Sequence, residues 1–528
     1  MKKTKLFVAA LISMFAFTCG VKAVEVKTAE ELKTCLAKDG NICTLANDIT
    51  IEPELVGKTS KGVNIYGAIT LNGVKVTLDL NGKTLSVAKN DAMEVQRGVI
   101  HLENKADLTI NDTTGKGAIK PGESTTWAAV TVYKGSKLTV NGGELRGYSY
   151  GISGNGSIGY GDTNITINGG VIKGEGDKTG TLGIYHPQLG TLTINKGEVI
   201  GDLGIEIRSG ELNVNGGTIT GIYKPTTVKP NGNGPTTNGA GIAVAQHTTK
   251  YAITVNIKGG TIKGFTAFYE SNPQKNSATD LEKIKLNITG GTFEAINEGT
   301  NTIYSDDFTG FVTGCTSNKK IDTTYVANKH VIKENNGTYT VSENKVLETK
   351  DEKVIFESAE AIRNDLVLKV TEKTEDEIKK GTEKVTEAYK DNKKVKEVKL
   401  INLYEINVLN GDGRVEKLED GKFTIAIAIP ESEQKYDAYK VIYIDEDGKI
   451  ADTLDAKLVD GKVVFTTSHL STYGVVGYNN VTETPTETKP EKNPTTSDIN
   501  LALIISAIVI STIGVVITSK KISAKVTR

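Results

Sequence analysis

Glu206 and Arg208 lie two residues apart in GIEIR, which begins at Gly204. In an extended strand both side chains point to the same side. A carboxylate and a guanidinium so placed have two readings. One is proton abstraction at an acidic C–H of a sugar, with acids from neighbouring strands holding Ca²⁺. The other is a surface ion pair of little energetic weight. The first needs more carboxylates at the aligned positions on either side, and none is found there. Glycoside hydrolysis needs two carboxylates spaced across the scissile bond, and the repeats offer no such pair. His186 and His247 are the only histidines nearby, and no His/Cys cluster has metal-site spacing. Asp445-Glu446-Asp447-Gly448 opens like a Ca²⁺ loop but lacks the later glutamate, so a hairpin turn explains it better. There is no phosphate-cradling glycine loop and no nucleophile triad. What the same side does offer is Tyr133, Asn155, Tyr185 and Tyr269. These can stack on, and hydrogen-bond to, a glycan or a protein. The expected binding set is therefore Tyr133, Asn155, Tyr185, Glu206, Arg208 and Tyr269, with no catalytic residue, metal or cofactor.

The elements that must position this strip are written as a repeat. LTVNGGELRG from Leu138, ITINGGVIKG from Ile165, LTINKGEVIG from Leu192 and LNVNGGTITG from Leu212 are copies of one phrase. Apolar residues alternate through each copy, the period of a half-buried strand. The turn slot is filled by Asn81, Asn111, Asn141, Asn168, Asn195 and Asn215, with Lys258 and Thr289 in weaker copies. The intervals run from 20 to 43 residues and contain no helical pattern. Strand repeats of this length predict a parallel β-helix, each period one coil. Stacked corners would let the asparagine amides bond up and down the column, with Gly142, Gly169 and Gly216 supplying positive φ. The strand before each phrase aligns too: Ile184, Ile205, Ile207, Ile242 and Val244 point inward, and Tyr185, Glu206 and Arg208 outward. The insertions 223–239 and 270–283 sit beside that strip, where solenoids bind their ligands.

The flanks give the organisation. Residues 1–23 read as a secretory signal, with three lysines before an apolar core and cleavage after Ala23. Residues 24–342 hold the β-helix. A helix over 28–38, capped by Thr28 with Glu31 three residues on, covers its first coil, and a strand follows over 41–51. Cys35 and Cys43 could be joined between these elements, or stand as two buried thiols. Residues 343–478 alternate as short strands with turns at Gly411-Asp412-Gly413, Asp420-Gly421, Asp447-Gly448 and Asp460-Gly461. With one helix over 374–392, they predict a small β-sandwich. Residues 479–492 form a solvated linker, and 493–528 end in about 19 mostly apolar residues from Ile499 and a basic tail. The 63 basic and 64 acidic residues nearly cancel, so charge gives no reason to expect a nucleic-acid partner.

These coils resemble the pectate-lyase-like right-handed β-helix repeats of large surface proteins from Gram-positive and related gut bacteria. The closing segment FVTGCTSNKKIDTTYVANKHVIKENNGTYTV from Phe311 is similar to the end of such arrays, which usually carry a second glycine where this chain has Cys315. The tail resembles a sortase sorting signal, with Asn493-Pro494-Thr495-Thr496-Ser497 in place of Leu-Pro-x-Thr-Gly. That resemblance implies cleavage between Thr496 and Ser497, with sortase and a peptidoglycan precursor as partners, or retention of the apolar segment as a membrane anchor. Either way the β-helix is expected outside the cell as an adhesin-like protein that binds host or dietary glycan, or protein. The fold also hosts polysaccharide lyases and hydrolases, the alternative reading, although their Asn-Thr-Asp, Asp-Asp and Gly-His-Gly signatures are missing from the coils.

Overall fold

The computed structural model describes residues 23–481 apart from 59–61, 89–94, 97, 122–126, 176–179, 225–233, 419–421 and 446. The expected signal segment as far as residue 22, the expected turn Asp420-Gly421, the linker from residue 482, the motif Asn493–Ser497 and the apolar stretch after it lie outside the described residues. Among those described, no helix is long and apolar enough to cross a membrane. The chain is mainly β and divides into two compact units between Glu343 and Asn344.

In the first unit the chain visits three sheets in turn, for example Ile100–Glu103, then Asp107–Asn111, then Ala118–Lys120, before Ala128–Val132 returns to the first of them. Sheet I has ten strands, from Ala23–Val26 to Ile284–Ile288. Sheet II has nine, from Ile69–Asn72 to Ile303–Ser305. Sheet III has twelve and ends in the antiparallel pair Thr338–Glu343 and His330–Asn335. All other pairings in these sheets are parallel save the junction Cys315–Ser317 with Thr338–Glu343. This is consistent with a parallel β-helix. The alternating apolar residues form one continuous core, in which Leu138, Ile165, Leu192, Leu212 and Val255 stack in register with no exposed surface beyond 1%. Burial of such columns is the main favourable term.

The corners follow the repeat, with two corrections. Asn141 donates its amide to Asn111 Oδ1 at 2.8 Å, Asn168 to Asn141 at 2.9 Å, Asn195 to Asn168 at 2.8 Å and Asn215 to Asn195 at 2.9 Å. Lys258 and Thr289 continue the column, the residues after the paired Ile257 and Ile288. Asn81 does not start it. The register sets Asp79 against Asn111, and the Asp79 carboxylate accepts from the Asn81 and Thr113 N–H groups. The second correction concerns the glycines. Positive φ belongs to the second of each pair, Gly143 at 84°, Gly170 at 80° and Gly217 at 78°. Gly169 and Gly216 are needed for another reason: a Cβ there would lie 2.6 and 2.4 Å from the carbonyl oxygen of the corner asparagine one coil back.

At the front, Ala29–Leu36 is helical. Thr28 Oγ1 accepts from Glu31 N, while the Glu31 carboxylate reaches past Thr28 to Lys27 N. Leu32, Cys35 and Leu36 close the core, and Cys35 is disulfide-bonded to Cys43. The stretch 41–51 is two strands, Ile42–Leu45 in sheet I and Ile49–Ile51 in sheet III, because the corner falls between them. Cys315 is buried, and burial pushes its thiol up to about 12, which leaves little thiolate for exchange.

The second unit is one hydrogen-bonded antiparallel sheet of nine strands, not two stacked sheets. Its edge strands Val346–Glu348 and Val367–Glu372 come near each other, so the sheet rolls around the core of Phe356, Ile406, Ile425, Phe465 and Tyr473. The helix Glu375–Tyr389 starts with a full capping box between Thr374 and Glu377 and lays Val385 on Leu400, Ile442 and Val476. Asp447-Gly448 and Asp460-Gly461 turn true hairpins. Gly411-Asp412-Gly413 turns a short one, in which Leu409 bridges Val415 and Glu416 N donates to the Val408 carbonyl at 2.8 Å, while Val395–Leu409 takes its main partners from Val367–Glu372 and Thr472–Asn480.

Candidate functional site: the outer face of sheet II

The pairing of sheet II fixes one outward column: Thr70, His101, Thr131, Ser153, Tyr185, Glu206, Ala243, Tyr269 and Tyr304. Two residues on in each strand, the same register carries Tyr133, Asn155 and Arg208. The six residues of the expected strip thus share one face but fall into three separate environments.

The middle is sealed. Tyr185, Glu206 and Arg208 are 5%, 0% and 0% exposed because the end of an insertion, from Gly234 to Gly239, lies over them. Thr236 donates its N–H to both Glu206 oxygens at 3.0 Å and its hydroxyl to Oε1 at 2.6 Å. Gly234 N donates to the Tyr185 hydroxyl at 2.9 Å. Arg208 reaches the Gly234 and Ala245 carbonyls and the Tyr185 oxygen, with its Nε 3.9 Å from Glu206 Oε1. The expected surface pair is therefore a buried clasp. Insertion length was the signal available, but sequence reasoning placed that insertion beside the strip instead of on it. Burial lifts the Glu206 carboxyl to about 7 against the pull of Arg208 and the Thr236 bonds. Apolar groups complete the seal: Leu182, Leu203, Ala240 and Tyr150 form a second cluster outside the main core. Leu182 and Leu203 face outward although they precede inward Ile184 and Ile205 by only two residues. Alternation breaks at Gly183 and Gly204, where a Cβ would meet Val199 at 2.4 Å and Ile219 at 2.8 Å. Tyr150 stacks on Tyr185 at 5.6 Å, and Trp127, 36% exposed, packs edge-on against Tyr150.

His186 and His247 are spent internally, and a third histidine that sequence reasoning left off the strip, His101, stands in the outward column 3.5 Å from Glu103. His186 points toward the core, is wholly buried and is pushed down to about 4 by that burial, with Nδ1 3.2 Å from the Ser209 carbonyl oxygen. His247 packs near Gly156, where a Cβ would lie 2.8 Å from its Nε2. Among the described residues no group of three His, Cys, Asp or Glu could hold a metal ion.

The two ends stay open. At one, half-buried Tyr133 sits edge-on to both His101, at 4.8 Å, and Tyr160, at 5.3 Å, and Lys134 Nζ lies 5.2 Å above the Tyr160 ring. Asn155, also half-buried, is bent back on its own turn by accepting from Ser157 N at 2.9 Å. At the other, half-buried Tyr269 and Tyr304 stack at 5.2 Å with 14° between planes, and the Tyr304 hydroxyl donates to Asp306 at 2.7 Å. Tyr160 and Tyr304 escaped sequence reasoning because both lie outside the repeated phrase. Tyr160 is in a turn, and the coil carrying Tyr304 lacks the Asn-Gly corner. A shallow cleft of about 250 Å³ opens elsewhere, at the last strand of sheet I, lined by Leu286, Asn287, Phe308 and Phe311. No protein family, curated protein or solved structure matches this chain.

Proposed function

We propose that this chain is an exported protein, held at the surface of a Gram-positive-type bacterium, whose right-handed parallel β-helix binds glycan or protein through the outer face of sheet II. The observation that carries this reading is the pair of tyrosine platforms, Tyr133 with Tyr160 and Tyr269 with Tyr304, half-exposed at opposite ends of one rigid face. Aromatic rings supply large contact area with little conformational entropy to lose and keep a polar edge for hydrogen bonding. Binding is favoured over turnover because the strip's acid-and-base pair, Glu206 and Arg208, is covered by Gly234 and Thr236, and Glu103, the acid beside the open Tyr133, is held by Lys134 and His101. A sugar ring has no approach to it. The rolled second unit serves as a spacer, the segment after it as a linker, and residues 493–528 as the sorting signal or membrane anchor, with sortase and a peptidoglycan precursor as partners.

The test is a glycan array probed with the full chain in detergent, followed by product analysis on every hit. Retention without turnover supports the reading, whereas new reducing or unsaturated ends replace it with a lyase or hydrolase. Mass analysis of the wall fraction checks the ends: a mature chain beginning at Val24 and finishing at Thr496 is expected.

A further inference from the structure

We infer that the outer face of the last strand of sheet II is a subsite for a glycan bearing unacetylated amino groups. This rests on the glycan-binding reading above and narrows it. Sheet II stops at Ile303–Ser305, so Tyr304 has a stacking partner, Tyr269, on one side and no further strand of the sheet on the other. Two acids, Asp306 and Asp307, follow the pair on the next turn, and a third, Glu270, lies on the core side of the same strand, in register with inward Val244. Asp306 accepts from the Tyr304 hydroxyl at 2.7 Å. Glu270, 1% exposed, accepts from Ser305 Oγ at 2.6 Å and Asp307 N at 3.2 Å through Oε2, while its Oε1 is buried without a partner. Asp306 and Asp307 are exposed on the following turn.

The groups here disfavour negative charge together. Burial, then the charges of Asp307 and Asp306, lift Glu270 to about 7. Burial and Asp306 raise Asp307, and the bond to Asp306 with burial raises Tyr304 to about 12. Burial, Asp306 and Glu270 raise Tyr269. The carboxylates acting on these four groups are Asp306, Asp307 and Glu270. Such a site attracts a cation by Coulomb's law, more strongly because it is partly desolvated. The tyrosine faces add cation–π attraction. An amino sugar satisfies both at once, its ring lying over Tyr304 and its ammonium reaching the exposed Asp306 and Asp307. A uronic acid meets repulsion, and a lysine side chain brings the charge but leaves the ring face uncovered.

The test measures affinity of the full chain for glucosamine oligosaccharides, the same oligosaccharides N-acetylated, and a lysine-rich peptide. The free-amine form should bind about tenfold more tightly than the acetylated form, and Asp306→Asn and Tyr304→Leu should each weaken it about tenfold. Tyr304→Phe should keep most of the affinity, which separates loss of the ring from loss of the fold. Equal binding of the acetylated sugar, tighter binding of the peptide, or indifference to Asp306→Asn overturns the inference. Glycan binding elsewhere that ignores Tyr304→Leu removes this subsite and leaves the broader reading standing. A chain that binds no glycan removes both.

Discussion

Glu206 shows how far a residue's neighbours in space can override its neighbours in sequence. Two residues from Arg208, it reads as half of an exposed pair, yet it is sealed and carries three bonds from Thr236. Its carboxyl sits at about 7 against an ordinary value of 4.5. A raised folded value means that the closed state holds the proton more tightly than an opened one. The clasp is therefore tightest in acid and loosens as pH rises from about 4.5 through about 7, by an amount on the order of a few kcal/mol. Hydrogen exchange at Thr236 N, corrected for its intrinsic pH dependence, should show less protection at pH 8 than at pH 5. Glu206→Gln should flatten that difference. Arg208→Ala strands a buried carboxylate and should cost about 3–5 kcal/mol in an unfolding titration.

At the scale of elements, the corner is the repeating unit and its parts are separable. Asn168 both gives and receives an amide bond, so Asn168→Ala should cost about 1–2 kcal/mol. Gly169→Ala forces a Cβ to 2.6 Å from a backbone oxygen and should cost more, roughly 2–3 kcal/mol. Thermal unfolding of the two variants ranks them, and the reverse order would mean that the amide column outweighs the close approach of the coils. The Cys35–Cys43 link closes an eight-residue separation, so its reduction should cost about 2–3 kcal/mol at the capped end. Greater proteolysis near Ala29–Leu36 in reducing buffer would report it.

Legibility also divides at this scale. Where a feature depends on period, the sequence shows it: the inward isoleucines, the column from Asn111 to Asn215, and the capping box at Thr374. Where it depends on a contact across sequence, it does not. That Gly234–Gly239 would fold onto Tyr185, that Asp79 would replace Asn81 in the column, and that Val395–Leu409 would pair with both Val367–Glu372 and Thr472–Asn480 are all decided by register and packing between distant segments. The outward facing of Leu182 and Leu203 is likewise set at Gly183 and Gly204, because a glycine can reverse the facing of a strand without altering its composition.

At the scale of the molecule, the first unit is bonded chiefly from each coil to the one before and the one after, the strand order skipping only at the end of sheet III, where Cys315–Ser317 pairs with Thr338–Glu343 past His330–Asn335. In such one-dimensional arrays stability is approximately a sum over neighbours. The turn around Lys275, between Thr266–Glu270 and Ile284–Ile288, is a connection of this kind. A protease that nicks it severs one covalent path and none of the inter-strand bonds on either side. The cut protein should stay folded and keep its tyrosine faces, running as two fragments only after denaturation. Under the proposed display outside a cell, where proteases are shared and repair is absent, that tolerance would let a damaged molecule go on working.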